Sequence, residues 1–548
     1  MRLIESRRLT GPNLYAAAPG ALAEVAFDAG EDPARLIAAW RAQVAALCAH
    51  LGWPADVIHT RSYAGGASLF FAAPIDLLLA ATEVNEHAIA VVAGGSVDAT
   101  AADQVPVPLV DIEAQIAREA RPGLAPLVAA AHARGVPALI DDDVVTLGAG
   151  ARLIAFSAAD PLPAPADVPW ATLGAVPVAL ITGTNGKTTT TRLVARIARH
   201  AGLRAGTASS GGVVVGDVLV EPGDWSGPDA ARLVLRHPAT EIAILETARG
   251  GILRRGLAVE GCDAALITNI SVDHLGTYGI DDLATMARVK AVVTRGARAL
   301  VLNADDPVLA ALPAAMALTA PITWFSVTGA AHATWRIEDG WIVHAGARLI
   351  EVTTVPITFG GRAAYNSENA LAAAALAATL GLPDAAIVAG LRDFTSSAAD
   401  NPGRGNLFDR GGVHVLVDFG HNPAAVRGVL ALAHALTSPA GGRVVVVLGL
   451  PGDRPDDEIT EVAHAVAAAA PHQVHLRELA DYLRGRAPGD VPALLASALA
   501  SAGFPVTHLH HATSELAAVQ TALTDAQPGD LVLVLAHVDA DLDAFLAP

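Results

Sequence analysis

The chain has only two cysteines, Cys48 and Cys262, in 548 residues, which excludes the disulfide framework of a small secreted scaffold. Charge is also sparse, at 17%, while hydrophobic residues reach 52%; a disordered chain shows the reverse. Long hydrophobic runs are missing. The mean hydropathy is +0.43, but much of that is alanine, and no run of about 18 apolar residues is free of charge and proline. The Ala-rich stretch 370–391 is broken by Pro383 and Asp384. The opening MRLIESRRLT is too polar for a secretory signal. Positive charge falls short as well: 36 Lys and Arg against 55 Asp and Glu leave a net charge of −19, which disfavours a nucleic-acid partner. The expectation is a cytoplasmic protein with neither nucleic-acid nor membrane partners. Its length is too great for one core, so several domains are expected.

Lysine is the scarcest basic residue. Lys187 and Lys290 stand against 34 arginines. A position that stays lysine in such a chain points to a need for a compact ammonium or a modifiable amine. Both lie in motif-like segments.

The pattern along the chain predicts an α/β protein of three parts. Residues 1–160 read as a mixed α/β domain, with helical apolar spacing over 34–51 and 75–92. A Pro/Ala-rich stretch, 158–170, reads as a linker. From Val176, short apolar runs (VALIT, EIAILE, AALITN, ALVLN) alternate with helical segments, including 187–200 and 281–295. That alternation predicts a doubly wound parallel sheet, the central domain, over 170–397. After a break near 396–406, VHVLVDF, RVVVVLG, QVHL and LVLVLA alternate with helices, which predicts a smaller Rossmann-like domain over 398–548.

The strongest local signal is VALITGTNGKTTTTRLVARIARH. A buried strand enters a Gly-rich turn, then Lys187, then threonines opening a helix. Backbone N–H groups at such a turn cradle phosphate oxygens. Lys187 would reach the β/γ-phosphates and the Thr188 hydroxyl would hold Mg²⁺. The general phosphate-loop pattern wants a glycine where this chain has Ile181, with Gly183 the nearest upstream glycine.

TGTNGKTTT resembles the phosphate loop of the Mur ligases, ATP-dependent amide-bond-forming enzymes. LETARGGILRRGL, TNISVDHLG, ARVKAVV, VLNADDP, NSENALAAAA, NPGRGNLF, VDFGHNP, GLPGDRPDDEI and LRGRAPGDV are similar to the Mur-like half of the cyanophycin synthetases, over about residues 170–548. RRLTGPNLYAAAP and EVNEHAIA resemble that family's N-terminal domain, and residues 132–157 resemble the opening of its ATP-grasp domain, the bulk of which has no counterpart here. In that family the ATP-grasp part extends an aspartate backbone, and the Mur-like part adds arginine to the aspartate side chain. The resemblance therefore implies the machinery of the second activity without the first.

A carboxylate must be activated before an amine attacks it, and ATP does so by forming an acyl phosphate. The enzyme must hold the γ-phosphate, neutralise it and orient both substrates. Glu246, closing the strand EIAILE, is placed to bind Mg²⁺. By resemblance Glu246 and His274, with Thr188, are metal ligands. The same resemblance implies that Lys187, Lys290, His274 and Arg404 form the catalytic set, and that Gly183, Thr184, Asn185, Gly186, Lys187, Thr188, Thr189, Asn366, Asn369, Arg404 and Asp418 bind the nucleotide. The lysine matching Lys290 is carbamylated in many Mur ligases; an unmodified amine contacting the acyl phosphate is equally consistent. The loop ARGGILRRG, with Thr247, Arg249, Arg254 and Arg255, suits anionic groups. Asp273 would orient its loop, and His421 and Asn422 would line the cleft. Asp453, Asp456 and Asp457 are candidate contacts for the incoming amino acid. His59, Arg61, Glu86 and His87 are weaker candidates in the N-terminal domain.

The cofactors implied are ATP and Mg²⁺. The partners implied are an amino acid, arginine or lysine, and a peptide or polymer carboxylate, in a homo-oligomer. The alternative is a non-catalytic or ATP-gated protein that binds a cyanophycin-like polymer. A simple kinase or ATPase would leave the C-terminal motifs unexplained, and a ligase of UDP-muramyl peptides finds no UDP-binding domain in residues 1–160.

Overall fold

The computed structural model describes residues 1–94, 106–437, 441–535 and 540–546. The chain begins with β1 (Arg2–Leu9), β2 (Gly20–Ala26), α1 (Pro33–Leu51), β3 (Ile58–Tyr63), β4 (Gly66–Ala72) and α2 (Leu78–Val92). The strands form an antiparallel sheet of order β1-β2-β4-β3. Its buried face packs on the two helices, where the Trp40 indole donates to Asn85 Oδ1 at 2.8 Å. Then come α3 (Leu109–Glu119), α4 (Leu124–His132) and a three-stranded sheet, β5 (Ala138–Ile140), β6 (Val144–Ala149) and β7 (Arg152–Ser157). The stretch 158–170 carries a 3-10 turn at Pro165–Asp167 and the start of another at Trp170–Thr172, and Val168 and Leu173 bury against α4 and β6.

The next segment contains β8 (Val178–Thr182), α5 (Lys187–His200), β9 (Ala205–Ser209), β10 (Gly212–Val215), β11 (Val218–Glu221), α6 (Pro228–Arg236), β12 (Ile242–Glu246), α7 (Arg249–Arg255), β13 (Ala264–Ile267), α8 (Leu283–Lys290), β14 (Leu300–Asn303), α9 (Pro307–Ala315) and β15 (Ile322–Ser326). It closes with β16 (Trp335–Glu338), β17 (Trp341–His344), β18 (Ala347–Glu351), α10 (Ala364–Thr379) and α11 (Asp384–Asp393). One sheet of order β11-β10-β9-β12-β8-β13-β14-β15-β16-β17-β18 results, parallel from β9 to β16.

Both faces of its centre are covered, so its strands read as continuous apolar runs rather than alternating ones. Ala179 and Ile181 of β8 pack with α5, α10 and α11; Val178 and Leu180 pack on the opposite face with α6, α7 and α8. From β8 the chain runs outward to β9, returns through β12, then crosses to β13 on the other side of β8. Beside β8 the order reverses, and in such sheets the ligand crevice opens there, at the carboxyl ends of the strands.

The last segment is β19 (Arg404–Arg410), β20 (Val413–Asp418), α12 (Pro423–Thr437), β21 (Val444–Leu448), α13 (Asp456–Ala468), β22 (Gln473–Arg477), α14 (Asp490–Ser501), β23 (Leu509–Ala512), α15 (Glu515–Asp525) and β24 (Leu531–Leu535). Its sheet runs β19-β20-β24-β21-β22-β23, parallel apart from β19.

Two expectations change. The stretch ARGGILRRG is not a loop: Arg249–Arg255 form α7, because Ile252 and Leu253 bury against the sheet. The helix expected over 281–295 is α-helical only from Leu283 to Lys290, after the Asp282 side chain caps Thr285 N; a 3-10 turn follows.

Candidate active site

The turn after β8 is shaped by two glycines. Gly183 has φ +149, and a Cβ there would lie 1.8 Å from Thr268 Oγ1. Gly186 has φ +84, and a Cβ there would lie 2.1 Å from Asn369 Oδ1. Neither place admits a side chain, and the left-handed φ at Gly186 is costly for any other residue. Thr184 N donates to Asn269 O, and Asn185 N to Asn269 Oδ1, each at 2.9 Å. These bonds hold the turn open at the N-terminus of α5. Lys187 Nζ donates to Thr184 O at 2.9 Å.

Below Lys187, Thr188 Oγ1 donates to Glu246 Oε2 at 2.8 Å and lies 3.0 Å from Ser210 Oγ. Thr188 and Glu246 are buried. A cluster of hydroxyl and carboxylate oxygens is the donor set of a hard cation such as Mg²⁺, so these residues fit it. Lys290 is buried on the other side of the turn, and its Nζ donates to Gly183 O at 2.8 Å. Burial, then the neighbouring Lys187 ammonium, push the Lys290 amine well below the ordinary lysine pKa.

The loop between β13 and α8 brings Asp273 and His274 to the cleft. Here His274 and His421 meet Asp273, with candidate ligand atoms within 4.8 Å of one another. Arg454 Nη1, from the loop before α13, donates to Asp273 Oδ1 at 2.6 Å and to Glu458 Oε2 at 3.2 Å. Burial lowers both imidazoles to about 4, outweighing the pull of Asp273. Burial would raise Asp273, but His421, Arg454 and His274 hold it below the ordinary carboxylate range. Arg249 Nη1 donates to His274 O at 2.7 Å.

The C-terminal domain reaches in through Arg404. Its guanidinium lies 4.6 Å from the Phe419 ring centroid and donates to Ser210 Oγ at 3.3 Å. Asn422 Nδ2 donates to Asn185 Oδ1 at 2.8 Å across the same boundary. Asp418 is buried and pushed up to about 6, burial outweighing the Arg404 charge. Asn369 Nδ2 donates to Asn366 Oδ1 at 3.1 Å, and Asn366 Nδ2 to Ile357 O at 2.9 Å.

Two cavities join at the phosphate turn. One, of 1020 Å³, holds Lys187, Thr188, Glu246, His274, Lys290 and Arg404. The other, of 400 Å³, is lined by Asn185, Thr189, Asn366, Asn369 and Asp418. Gly183 lines neither cavity. Arg249 and Arg254 line the larger cavity, whereas Arg255 turns its carbonyl to Thr10 N. Asp453 and Asp456 are paired with Arg484 and Arg486, and the Asp457 carboxylate accepts from Glu458 N. His59, Glu86 and His87 stand away from both cavities, while Arg61 bonds the loop that carries His274.

Several residues of the site lie outside the sequence-based set. Arg192, half-buried on α5, donates to Asn401 Oδ1 at 3.2 Å and is lowered to about 10 by burial and Arg404. Asn401 also donates to Thr189 Oγ1, which ties the interdomain connection to the phosphate helix. Position supplies the one signal for Arg192: it follows Thr188 by four residues and shares its helix face.

A parallel α/β sheet with a glycine-shaped turn at a helix N-terminus, hydroxyl and carboxylate oxygens beside it and a second α/β domain over it defines a phosphate-loop nucleotide-binding core. Residues 181–377 match the Mur ligase middle domain, and 403–538 match the Mur ligase, glutamate ligase domain. UDP-N-acetylmuramyl-tripeptide synthetase of Leifsonia xyli is 30% identical over 71% of this chain and 78% of its own. The chain belongs to the Mur ligase family, whose members are ATP-dependent carbon–nitrogen ligases. Cyanophycin synthetase of Synechocystis sp. is 37% identical over 387 residues, which are 67% of this chain and 43% of that one. The chain thus spans less than half the length of that relative. Among solved structures, E. coli FolC in complex with DHPP and ADP shares the fold, with a TM-score of 0.50 and 22% identity over 68% of this chain and 89% of that one. Among the described residues, no helix is long and apolar enough to cross a membrane.

Proposed function

We propose that the chain is a ligase that joins a carboxylate, as on an aspartate side chain of a peptide or polymer, to the amine of an amino acid, arginine or lysine, at the expense of ATP in the cytoplasm. The observation that supports this best is the meeting of Lys187, Thr188, Glu246, Lys290 and Arg404 in one cavity of 1020 Å³, beside a separate 400 Å³ cavity. Volume of that size takes a triphosphate tail and two further reactants together.

The smaller cavity suits the nucleoside: the Asn369 amide meets a base edge, and Asp418 accepts from ribose hydroxyls. The phosphate turn and Lys187 hold the β- and γ-phosphates. Thr188 and Glu246 would hold a magnesium ion, which supplies charge neutralisation to the phosphates. The acceptor carboxylate oxygen then attacks the γ-phosphorus, the bond to ADP breaks, and an acyl phosphate forms. Lys290 and Arg404 face the charge that gathers on the transferred group. The amine nitrogen attacks the acyl carbon, inorganic phosphate departs, and the proton lost from nitrogen passes to water.

Phosphate release from ATP and Mg²⁺, measured across a matrix of carboxylates and amino acids with mass spectrometry of the products, tests this. Release that requires one carboxylate and one amine, with the matching amide mass, is the expected result. Release without any amine makes the protein an ATPase or kinase. Stable binding of polymer with no release under any pair favours the binding protein.

A further inference from the structure

The segment 270–280, which carries Asp273 and His274, is held from three sides. The central domain contributes Arg249, whose Nη1 donates to His274 O and to Thr277 Oγ1. The C-terminal domain contributes Glu458, which accepts from Leu275 N at 3.0 Å, and Arg454, which pairs with Asp273. The third side is the N-terminal sheet. Arg61, on β3, donates Nη1 to Gly279 O at 2.6 Å and Nη2 to Tyr278 O. One planar guanidinium therefore grips two successive carbonyls of the loop.

The N-terminal sheet is built to aim that guanidinium. Arg61 Nη2 also donates to Ser68 Oγ at 3.0 Å, and Ser68 Oγ donates to Glu24 Oε2 at 2.8 Å. The Tyr63 hydroxyl donates to the same Glu24 oxygen at 3.0 Å, and Arg7 pairs with the other. Arg7 lies 4.5 Å from the Tyr278 ring centroid. The Tyr63 ring packs so closely on Gly279 that a Cβ there would sit 2.3 Å away.

The loop needs such a grip. His274 and Tyr278 both have φ +56, a conformation that non-glycine residues keep only where their surroundings over-determine it. Gly276 N donates to Ile280 O at 2.9 Å, so 276–280 form a tight turn that moves as a unit. Fixing the carbonyls of Tyr278 and Gly279 fixes the turn, and the turn begins two residues after His274.

We propose that Arg61 is a positioning residue of the active site: through the carbonyls of Tyr278 and Gly279 it holds the loop that presents His274 to the cleft, and so makes the N-terminal domain a working part of the ligase core. This rests on the ligase reading for its kinetic consequence but not for its structural one.

The test uses the full chain with Arg61→Met, which keeps the apolar stem, Arg61→Lys, which retains one of two carbonyl bonds, and Gly279→Ala, which wedges the loop from Tyr63 with Arg61 intact. Hydrogen exchange of 274–280 should quicken by about tenfold or more in Arg61→Met and Gly279→Ala, while 181–190 stays unchanged. Amide formation should lose about tenfold or more in kcat, with KM for ATP within about twofold, and Arg61→Lys should fall between. Unchanged exchange of 274–280, or unchanged kcat in both Arg61→Met and Gly279→Ala, overturns the proposal. If the unmodified chain forms no amide, the ligase reading fails, and hydrogen exchange still decides the role of Arg61.

Discussion

Lys187 and Glu246 line the same cavity, but their removal should be felt differently. Lys187 Nζ makes one hydrogen bond, to Thr184 O, from a half-buried position. Lys187→Ala should therefore leave the melting temperature within about 2 °C while ATP-dependent phosphate release falls about 100-fold or more. Glu246→Gln keeps the shape and the Thr188 bond but removes the negative charge. A magnesium titration of activity should show its midpoint rise by about tenfold or more. Lys290 is buried with its amine on Gly183 O, so the bulkier side chain of Lys290→Arg should cost about 1–3 kcal/mol by overpacking, read by denaturant unfolding, and abolish amide formation. At this scale the phosphate turn was legible in the sequence because turn, lysine and helix start are contiguous. The cross-domain bonds of Arg454 and Ser210 were not legible: Asp273 is 181 residues from Arg454 and Arg404 is 194 from Ser210, and no spacing rule reaches so far.

Among the elements, β22 and β23 carry the clearest dependence on pH. They pair in parallel register with His475 beside His510, the rings stacked 4.8 Å apart. His475 is buried, and burial with the charge of His510 lowers it from 6.5 to about 4. A base whose folded pKa is depressed stabilises the fold above its ordinary value and loses that contribution as pH falls toward the folded one. The melting temperature should thus fall between pH 6.5 and pH 4, and His475→Leu should flatten the slope. The elements also show where sequence patterns run out. Central strands such as β8 and β12 are buried at every position, and their unbroken apolar runs announced them. The edge strand β11 is exposed at all four positions, so its residues carry no burial pattern to read. The seven residues of α7 are too few to display a helical period, and the Gly-Gly pair within them argued for a loop.

Across the whole molecule, the central and C-terminal parts meet through polar contacts across the cleft and through an apolar patch in which Phe359, Ala363 and Tyr365 pack on the C-terminal core. Asp273 with Arg454, Asn185 with Asn422 and Ser210 with Arg404 span the cleft. Arg454→Met leaves Asp273 and Glu458 buried without their shared cation, a change that costs about 3–5 kcal/mol where such pairs are measured. Small-angle scattering should report a larger radius of gyration in this variant, and amide formation should drop while ATP binding, set by the phosphate turn, persists. The parallel α/β sheets were legible from the alternation of strands and helices, whereas the way the N-terminal sheet leans on the 270–280 loop was not, because it depends on one arginine and two backbone carbonyls. The scarcity of lysine acquires a chemical meaning once the primary amines are placed. Lys187 faces the cleft, Lys290 is buried behind Gly183, and the ammonium of Met1 is buried against Glu31. An acyl phosphate is an acylating agent, and the outer face of this protein offers it no lysine to modify. Succinimidyl esters should accordingly label the cleft, and ATP with Mg²⁺ should shield it.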